Sequence, residues 1–98
     1  MFSRVEMCRA LSRAVMELNL VTHPPHTEYS IAAKLQTTQA AFDNANDAIQ
    51  ILGGNGLTRE YPVEKFFRDA RATLVEDGLN EVLARKGGHI LSQTYPRV

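Results

Sequence analysis

The chain has 98 residues, with 11 lysines and arginines against 11 aspartates and glutamates, and a formal net charge of zero. This length fits one small domain, and because acids and bases are mixed along the chain, its charge pattern offers no surface for nucleic acid or for an anionic membrane. Cys8 is the single cysteine, which excludes an internal disulfide, and no apolar run approaches the roughly 20 residues of a membrane span.

The first predicted element is an amphipathic helix over residues 2–20. Its apolar residues recur at spacings of three and four, at Val5, Cys8, Leu11, Val15 and Leu18. Pro24 and Pro25 then require a turn, because proline lacks an N–H group and restricts the residue before it. His23 and His26 flank these prolines without a cysteine or carboxylate cluster to complete a ligand set, so no metal site is predicted.

The second predicted helix runs from about Thr27 to Leu52 and is about 39 Å long at 1.5 Å per residue. Its apolar residues fall on one line, at Ile31, Leu35, Phe42, Ile49 and Leu52. Gly53 and Gly54 end this helix, since glycine reaches backbone conformations that other residues avoid. The residues at 55–56 are expected to continue as a tight turn.

The third predicted helix begins at Pro62, whose fixed φ suits the first helical position. A break near Asp77 and Gly78 separates it from a last helix that runs to about Ser92. Two glycines at residues 87–88 are expected to weaken this last helix, by about 1 kcal/mol each relative to alanine. The pattern therefore predicts an all-α protein, an up-and-down helical bundle of about four helices.

The most informative motifs run from the end of the second predicted helix into the third. They read Gln-Ile-Leu-Gly-Gly-Asn-Gly at residues 50–56, Glu-Tyr-Pro-Val-Glu-Lys at residues 60–65 and Arg-Asp-Ala-Arg at residues 68–71. This run resembles the C-terminal helical domain of acyl-CoA dehydrogenases, flavoenzymes that oxidise the Cα–Cβ bond of acyl thioesters. The resemblance covers nearly the whole chain, from the first helix to about Leu91.

The glycine loop has two interpretations. From the residues alone it is a helix C-cap, because it follows a helix and not a strand and so fits neither a Rossmann fingerprint nor a P-loop. In the family, the matching residues reach across a subunit interface to the ADP part of the neighbour's FAD. The resemblance thus implies cofactor contacts for Gln50, Ile51, Leu52, Gly53 and Gly54.

The acidic pair at the second break also has two interpretations. In most of the family, a Glu-Gly pair after the third helix supplies the general base that removes the substrate's α-proton. Counting forward from residues 68–71 without gaps, the resemblance implies that Asp77 is the base, with Glu76 as the alternative. The residues alone favour a solvated turn in which Asp77 or Asn80 caps the last helix.

Two further positions follow from the same count. Leu79 stands where the family often has a threonine that helps to hold the flavin, and Glu81 stands where glutamine or glutamate is usual. The resemblance implies FAD contacts for both, although leucine brings no hydroxyl. Arg68 and Asp69 are expected to form buried salt bridges with neighbouring helices.

The resemblance also indicates what lies outside this chain. Family enzymes have an N-terminal helical domain and a middle β-domain, and residues 1–98 show no alternating β-pattern that would supply the latter. We expect one C-terminal-like domain that is inactive and without bound FAD by itself. In the full enzyme it would act on acyl-CoA and form a homodimer or homotetramer, in the cytoplasm or the mitochondrial matrix.

Three alternatives stay open at this point. The first is a non-catalytic helical module for oligomerisation, which keeps the bundle without flavin chemistry. The second is a domain of a flavoenzyme like nitroalkane oxidase, a relative that uses an aspartate as its base. The third is a family member whose base lies on an earlier helix that this chain does not contain, in which case Asp77 has no catalytic role.

Overall fold

A computed structural model describes residues 1–95 and confirms an all-α protein of four helices, with no strand in that range. The helices are α1 (Phe2–Val21), α2 (Thr27–Leu52), α3 (Val63–Thr73) and α4 (Asn80–Thr94), and a short 3-10 helix (Gly53–Leu57) follows α2. None of the helices described for residues 1–95 is both long and apolar enough to cross a membrane.

Helix α2 is the centre of the fold, because among the described residues it is the only helix that contacts all three others. Helix α1 runs antiparallel to it. At one end Arg4 donates hydrogen bonds to Asn44 Oδ1, at 3.1 Å, and to the Asp47 carboxylate. At the other end Asn19 Oδ1 accepts a hydrogen bond of 2.8 Å from the His26 amide. These polar contacts fix the register of the first hairpin.

Helices α3 and α4 follow one another along a second face of α2. Phe67 of α3 packs on Phe42, with ring centroids 5.1 Å apart, and Gly87 of α4 packs on Ile31. Ile31 and Phe42 belong to one stripe of α2, in which residues recur every three or four positions. Helices α3 and α4 thus run back along α2 one after the other, with a break between them.

The hydrophobic core is small. Among the described hydrophobic residues only Val15, Ile31 and Ala45 are buried, and each keeps a small exposed fraction. Many large apolar side chains of all four helices are exposed instead, including Met7, Met16, Leu20, Phe66, Val82 and Leu91. Because a soluble monomer rarely leaves so much apolar surface open, these faces have the character of interfaces.

The ends of the elements differ from the sequence predictions in three places. Helix α3 begins at Val63, with Pro62 as its N-cap residue. The predicted tight turn at residues 55–56 is part of the 3-10 helix. Helix α4 continues through both of its glycines to Thr94, because Gly87 is buried against α2 and its missing side chain allows that close approach.

The expected buried salt bridges of Arg68 and Asp69 are wrong. Arg68 Nε donates to Glu64 Oε2 at 2.9 Å, and Lys65 pairs with Asp69, so both pairs join residues four apart within α3. The hydrogen bond from Arg68 holds the pKa of Glu64 below its ordinary value. Both Arg68 and Asp69 are exposed, and surface pairs of this kind add little to the stability of a fold.

The adjacent glycines of α4 test its packing on α2. A methyl group on Gly88 would meet nothing within 4 Å, so we expect Gly88→Ala to raise the free energy of unfolding, by about 1 kcal/mol from helix propensity. A methyl group on Gly87 would lie 3.2 Å from Ile31 Cγ2. We therefore expect Gly87→Ala to be less stable than Gly88→Ala by about 0.5 kcal/mol or more. Chemical denaturation measures both, and equal gains would contradict the packing.

Candidate functional site

The break between α3 and α4 places an acidic side chain at the apex of a bend. Asp77 has a φ of 52° and Gly78 a φ of 103°, so two successive residues lie in the left-handed region. Aspartate is one of the few residues other than glycine that tolerate this conformation. Glu76 and Asp77 are both exposed. The carboxylates of Glu76 and Asp77 are therefore accessible from outside the fold.

The bend is the exposed turn that the residues alone favoured, but the prediction that Asp77 or Asn80 caps α4 is wrong. The N-cap residue of α4 is Leu79, and no side chain makes a capping hydrogen bond there. The Asn80 side chain turns instead toward α2, where it accepts a hydrogen bond from the Lys34 ammonium and donates one of 3.0 Å to Thr38 Oγ1. Lys34 also donates to the Gly78 carbonyl oxygen at 2.9 Å.

An open cleft of about 260 Å³ lies beside the bend, between α2, α3 and the start of α4. Leu79 and Glu81, both predicted as cofactor contacts, line it together with Arg71. The structure thus brings these two predicted residues to one place, next to the segment that carries Asp77. The leucine side chain makes the contact there apolar, where a hydroxyl would have offered a hydrogen bond.

The glycine loop lies at the other end of α2. Gln50 and Ile51 are exposed in the last turn of the helix, and Leu52 is half-buried. Gly53 has a φ of 61°. A side chain on Gly53 or Gly54 would meet nothing within 4 Å, so the backbone of both is open to an approaching molecule. The loop therefore leaves its main chain accessible from outside the fold.

Gly56 has a different role from the other glycines of the loop. It is buried, and a methyl group on it would lie 2.9 Å from both the Cα and the carbonyl oxygen of Ile49. Because these are backbone atoms, they have little freedom to move aside. Gly56 is therefore required for the packing of the 3-10 helix against α2, a role that the sequence did not reveal.

The bend and the glycine loop do not meet within one chain. Lys34 holds the bend, whereas Leu52 precedes the loop, and 18 residues of α2 separate them, a span of about 27 Å at 1.5 Å per residue. The cofactor residues predicted from the sequence thus fall into two groups. Leu79 and Glu81 lie near Asp77, and residues 50–54 lie at the far end.

Lys34 is a residue of this site that the sequence analysis missed. Its signal in the sequence was a charged residue in the stripe of α2 that otherwise carries Ile31 and Phe42. Within residues 1–95 no group of three histidine, cysteine, aspartate or glutamate side chains is arranged to hold a metal ion.

Comparison with known proteins identifies relatives of this chain. The family model for the acyl-CoA dehydrogenase C-terminal domain matches residues 1–90. The mitochondrial short-chain specific acyl-CoA dehydrogenase of Rattus norvegicus is 43% identical over 68 residues, which cover 68% of this chain and 16% of that protein. The short-chain specific acyl-CoA dehydrogenase of Clostridium acetobutylicum is 41% identical over 58 residues, which cover 59% of this chain and 15% of that protein.

A third relative, the cyclohexane-1-carbonyl-CoA dehydrogenase of Geobacter metallireducens, is 40% identical over 57 residues, or 58% of this chain and 15% of that protein. No solved structure matches the chain. The match thus spans only 15 to 16% of the length of these relatives. Because the family model covers residues 1–90 of the 98, the chain belongs to the acyl-CoA dehydrogenase family, to its C-terminal domain.

Proposed function

We propose that this chain is the C-terminal domain of a longer, FAD-dependent acyl-CoA dehydrogenase, in which Asp77 is the base that removes the α-proton of an acyl thioester. The observation that carries this proposal is the exposed Asp77 carboxylate at the apex of the α3–α4 bend, in a left-handed conformation held beside α2. Unusual backbone conformations that the surrounding structure maintains are concentrated at functional sites. The named relatives, all acyl-CoA dehydrogenases, support the class of substrate.

The chemistry divides between the cofactor and this chain. A bound FAD would supply the acceptor for the hydride that leaves the β-carbon of the substrate. The Asp77 carboxylate takes the proton from Cα, which requires its oxygen to come within about 2.6 to 3.2 Å of that carbon. Because aspartate is one methylene shorter than glutamate, the position of the bend backbone decides whether this distance is reached.

The glycine loop serves a second cofactor in this proposal. Residues 50–54 would contact the ADP part of an FAD held mainly by a neighbouring copy, while Leu79 and Glu81 would contact the FAD beside Asp77. The span of about 27 Å along α2 supports this division, since one protomer does not bring both groups to one place. A homodimer or homotetramer follows from it. The mitochondrial and bacterial relatives support the mitochondrial matrix or the cytoplasm as the compartment.

A non-catalytic oligomerisation module is the second candidate function. The observation that favours it is the amount of apolar surface left open in the described part of the chain, where three hydrophobic residues are buried. The reading frame upstream of Met1 distinguishes the two candidates. A β-domain encoded there supports the enzyme, and a true start at Met1 supports the module.

Asp77→Asn tests the proposed base in the full-length flavoprotein that carries this chain. The amide keeps the volume of the side chain but loses the basic oxygen. We therefore expect reduction of the flavin by butyryl-CoA to fall by at least about a thousandfold, with FAD still bound. Glu76→Gln is the matched control and should retain its rate. A full rate in Asp77→Asn would eliminate the base, whereas loss in Glu76→Gln alone would assign it to Glu76. A nitroalkane-oxidase-like enzyme would instead turn over nitroethane.

Gly54→Leu tests the open face of the glycine loop. The new side chain would occupy space where the cofactor is proposed to approach, so we expect the FAD affinity of the full-length protein to fall by about tenfold, or about 1.4 kcal/mol. Its melting temperature should change little, because nothing beyond its neighbours along the chain and the backbone of its own helix lies within 4 Å of the added Cβ. Gly56→Ala is the contrasting variant and should lower the melting temperature. Wild-type FAD affinity in Gly54→Leu would remove the loop from the cofactor site.

The isolated 98 residues test the dependence on other parts of the protein. We expect them to hold no stoichiometric FAD and to self-associate, because the exposed apolar faces of all four helices remain uncovered. Light scattering across a concentration series and the flavin absorbance of the purified chain provide the measurements. A strict monomer at high concentration would contradict the expected self-association. A yellow protein would contradict the expectation that the isolated chain holds no FAD.

A further inference from the structure

The α3–α4 bend has few restraints of its own. Residues 75–79 are all exposed. The backbone hydrogen bonds around them are local: Val75 and Glu76 bond to the end of α3, Asn80 bonds to Leu74, and Leu79 accepts from Leu83 in the first turn of α4. Gly78 lies in this segment close to the Leu83 side chain, which is again a local contact with α4, and a glycine restricts its own backbone less than any other residue does. A base on such a segment needs a restraint from elsewhere in the fold.

Lys34 of α2 supplies that restraint. Its ammonium donates to the carbonyl oxygen of Gly78, at 2.9 Å, and to the side-chain oxygen of Asn80. The partners of the ammonium are 44 and 46 residues away in the sequence, so these bonds are tertiary contacts. One of them holds the residue next to Asp77, and the other holds the first residue of α4. The two ends of the restraint thus bracket the turn into α4.

Thr38 completes the arrangement one helical turn further along α2. Its hydroxyl donates to the backbone oxygen of Lys34, at 2.8 Å, and accepts a hydrogen bond of 3.0 Å from the Asn80 side-chain amide. Since an ammonium only donates hydrogen bonds, the Asn80 oxygen must face Lys34 and its NH₂ group must face Thr38. Each polar group of this cluster therefore has a partner, and the orientation of Asn80 is fixed.

We propose that Lys34 is a positioning residue for the reaction: it holds the Gly78 carbonyl and Asn80, and thereby fixes the direction in which Asp77 presents its carboxylate. This inference rests on the proposed role of Asp77 as base. Lys34 touches neither substrate nor cofactor in this role. The restraint is needed because misplacement of a catalytic group by about 1 Å can lower a rate by about a hundredfold.

Lys34→Met is the principal test, in the full-length flavoprotein loaded with FAD. Methionine keeps an unbranched side chain of similar length but donates no hydrogen bond. We expect the maximum rate of flavin reduction by butyryl-CoA to fall by about tenfold or more, with the half-saturating concentration unchanged. The deuterium isotope effect with α-deuterated butyryl-CoA should rise, because proton abstraction becomes slower. Lys34→Arg, which still donates to two acceptors, should recover part of the rate.

A second measurement does not depend on activity. Hydrogen exchange of the Asn80 amide, whose N–H bonds to Leu74 O at 3.1 Å, reports local opening of the bend. We expect exchange at residues 76–80 to quicken by about tenfold in Lys34→Met. Should that protein fail to fold, Asn80→Ala removes one partner of Lys34 and should shift both readouts in the same direction.

Arg4→Met is the matched control. It also removes a long cationic side chain that joins another helix to α2, but its partners Asn44 and Asp47 lie on the side that faces α1. We expect a lower melting temperature in this variant, with a wild-type rate per bound flavin and unchanged exchange at residues 76–80. A variant at Lys34 that behaves like Arg4→Met, losing stability alone, would overturn the positioning role.

The outcomes separate this inference from the proposed function. Full activity in Asp77→Asn would overturn the base and, with it, the positioning role. Loss of activity in Asp77→Asn together with a wild-type rate and isotope effect in Lys34→Met would leave the base in place and overturn the role of Lys34. A slow rate with unchanged exchange at residues 76–80 would also overturn it, since the bend would then not depend on Lys34.

Discussion

The structure depends on one helix that is packed on two faces. Helix α1 packs on one face of α2. Ala40 lines a cleft between the two helices, and Asp47 binds Arg4 of α1. The other face receives α3 at Phe42 and α4 at Ile31. Within the described residues, α1, α3 and α4 do not pack on one another. Each is held mainly by what it buries against α2, and α3 also contacts the short 3-10 helix. Small residues on α2 and a buried glycine on α4 make that approach close.

A fold of this kind leaves a thin core. Within residues 1–95, three hydrophobic residues are buried, spread along a molecule 52 Å long and 24 Å across. They form a narrow line of contact between helices and not a central core. The hydrophobic effect grows with the area removed from water, so most of the apolar surface that would stabilise the helices still needs a partner. This open apolar surface lies on the same helices that position the bend and the glycine loop. A second copy of the chain or another domain that covered it would also lie beside these two segments.

The place of the acidic bend is set by packing on either side of it. Phe67 anchors α3 and Gly87 anchors α4 on the same stripe of α2, and the intervening residues must turn over the polar part of that stripe, at Lys34 and Thr38. The Lys34 ammonium donates hydrogen bonds to the Gly78 carbonyl and to Asn80. An apolar side chain at position 34 would leave the Gly78 carbonyl without this partner. The left-handed turn at Asp77 is a local backbone conformation. Its orientation relative to the rest of the fold depends on the contact with Lys34 of α2.

The sequence by itself determined the four helices, the glycine and proline boundaries and the family, because helical periodicity, helix-ending residues and a contiguous motif are properties of neighbouring residues. Only the tertiary structure decided that Leu79, and not Asp77 or Asn80, is the N-cap residue of α4, that Arg68 pairs within its own helix, and that Gly87 and Gly56 are required for close packing. It also decided that Lys34 binds Gly78 and Asn80, which lie 44 and 46 positions further along the chain. Such contacts depend on how the faces of α2 are shared among the other helices, and no local pattern specifies that arrangement.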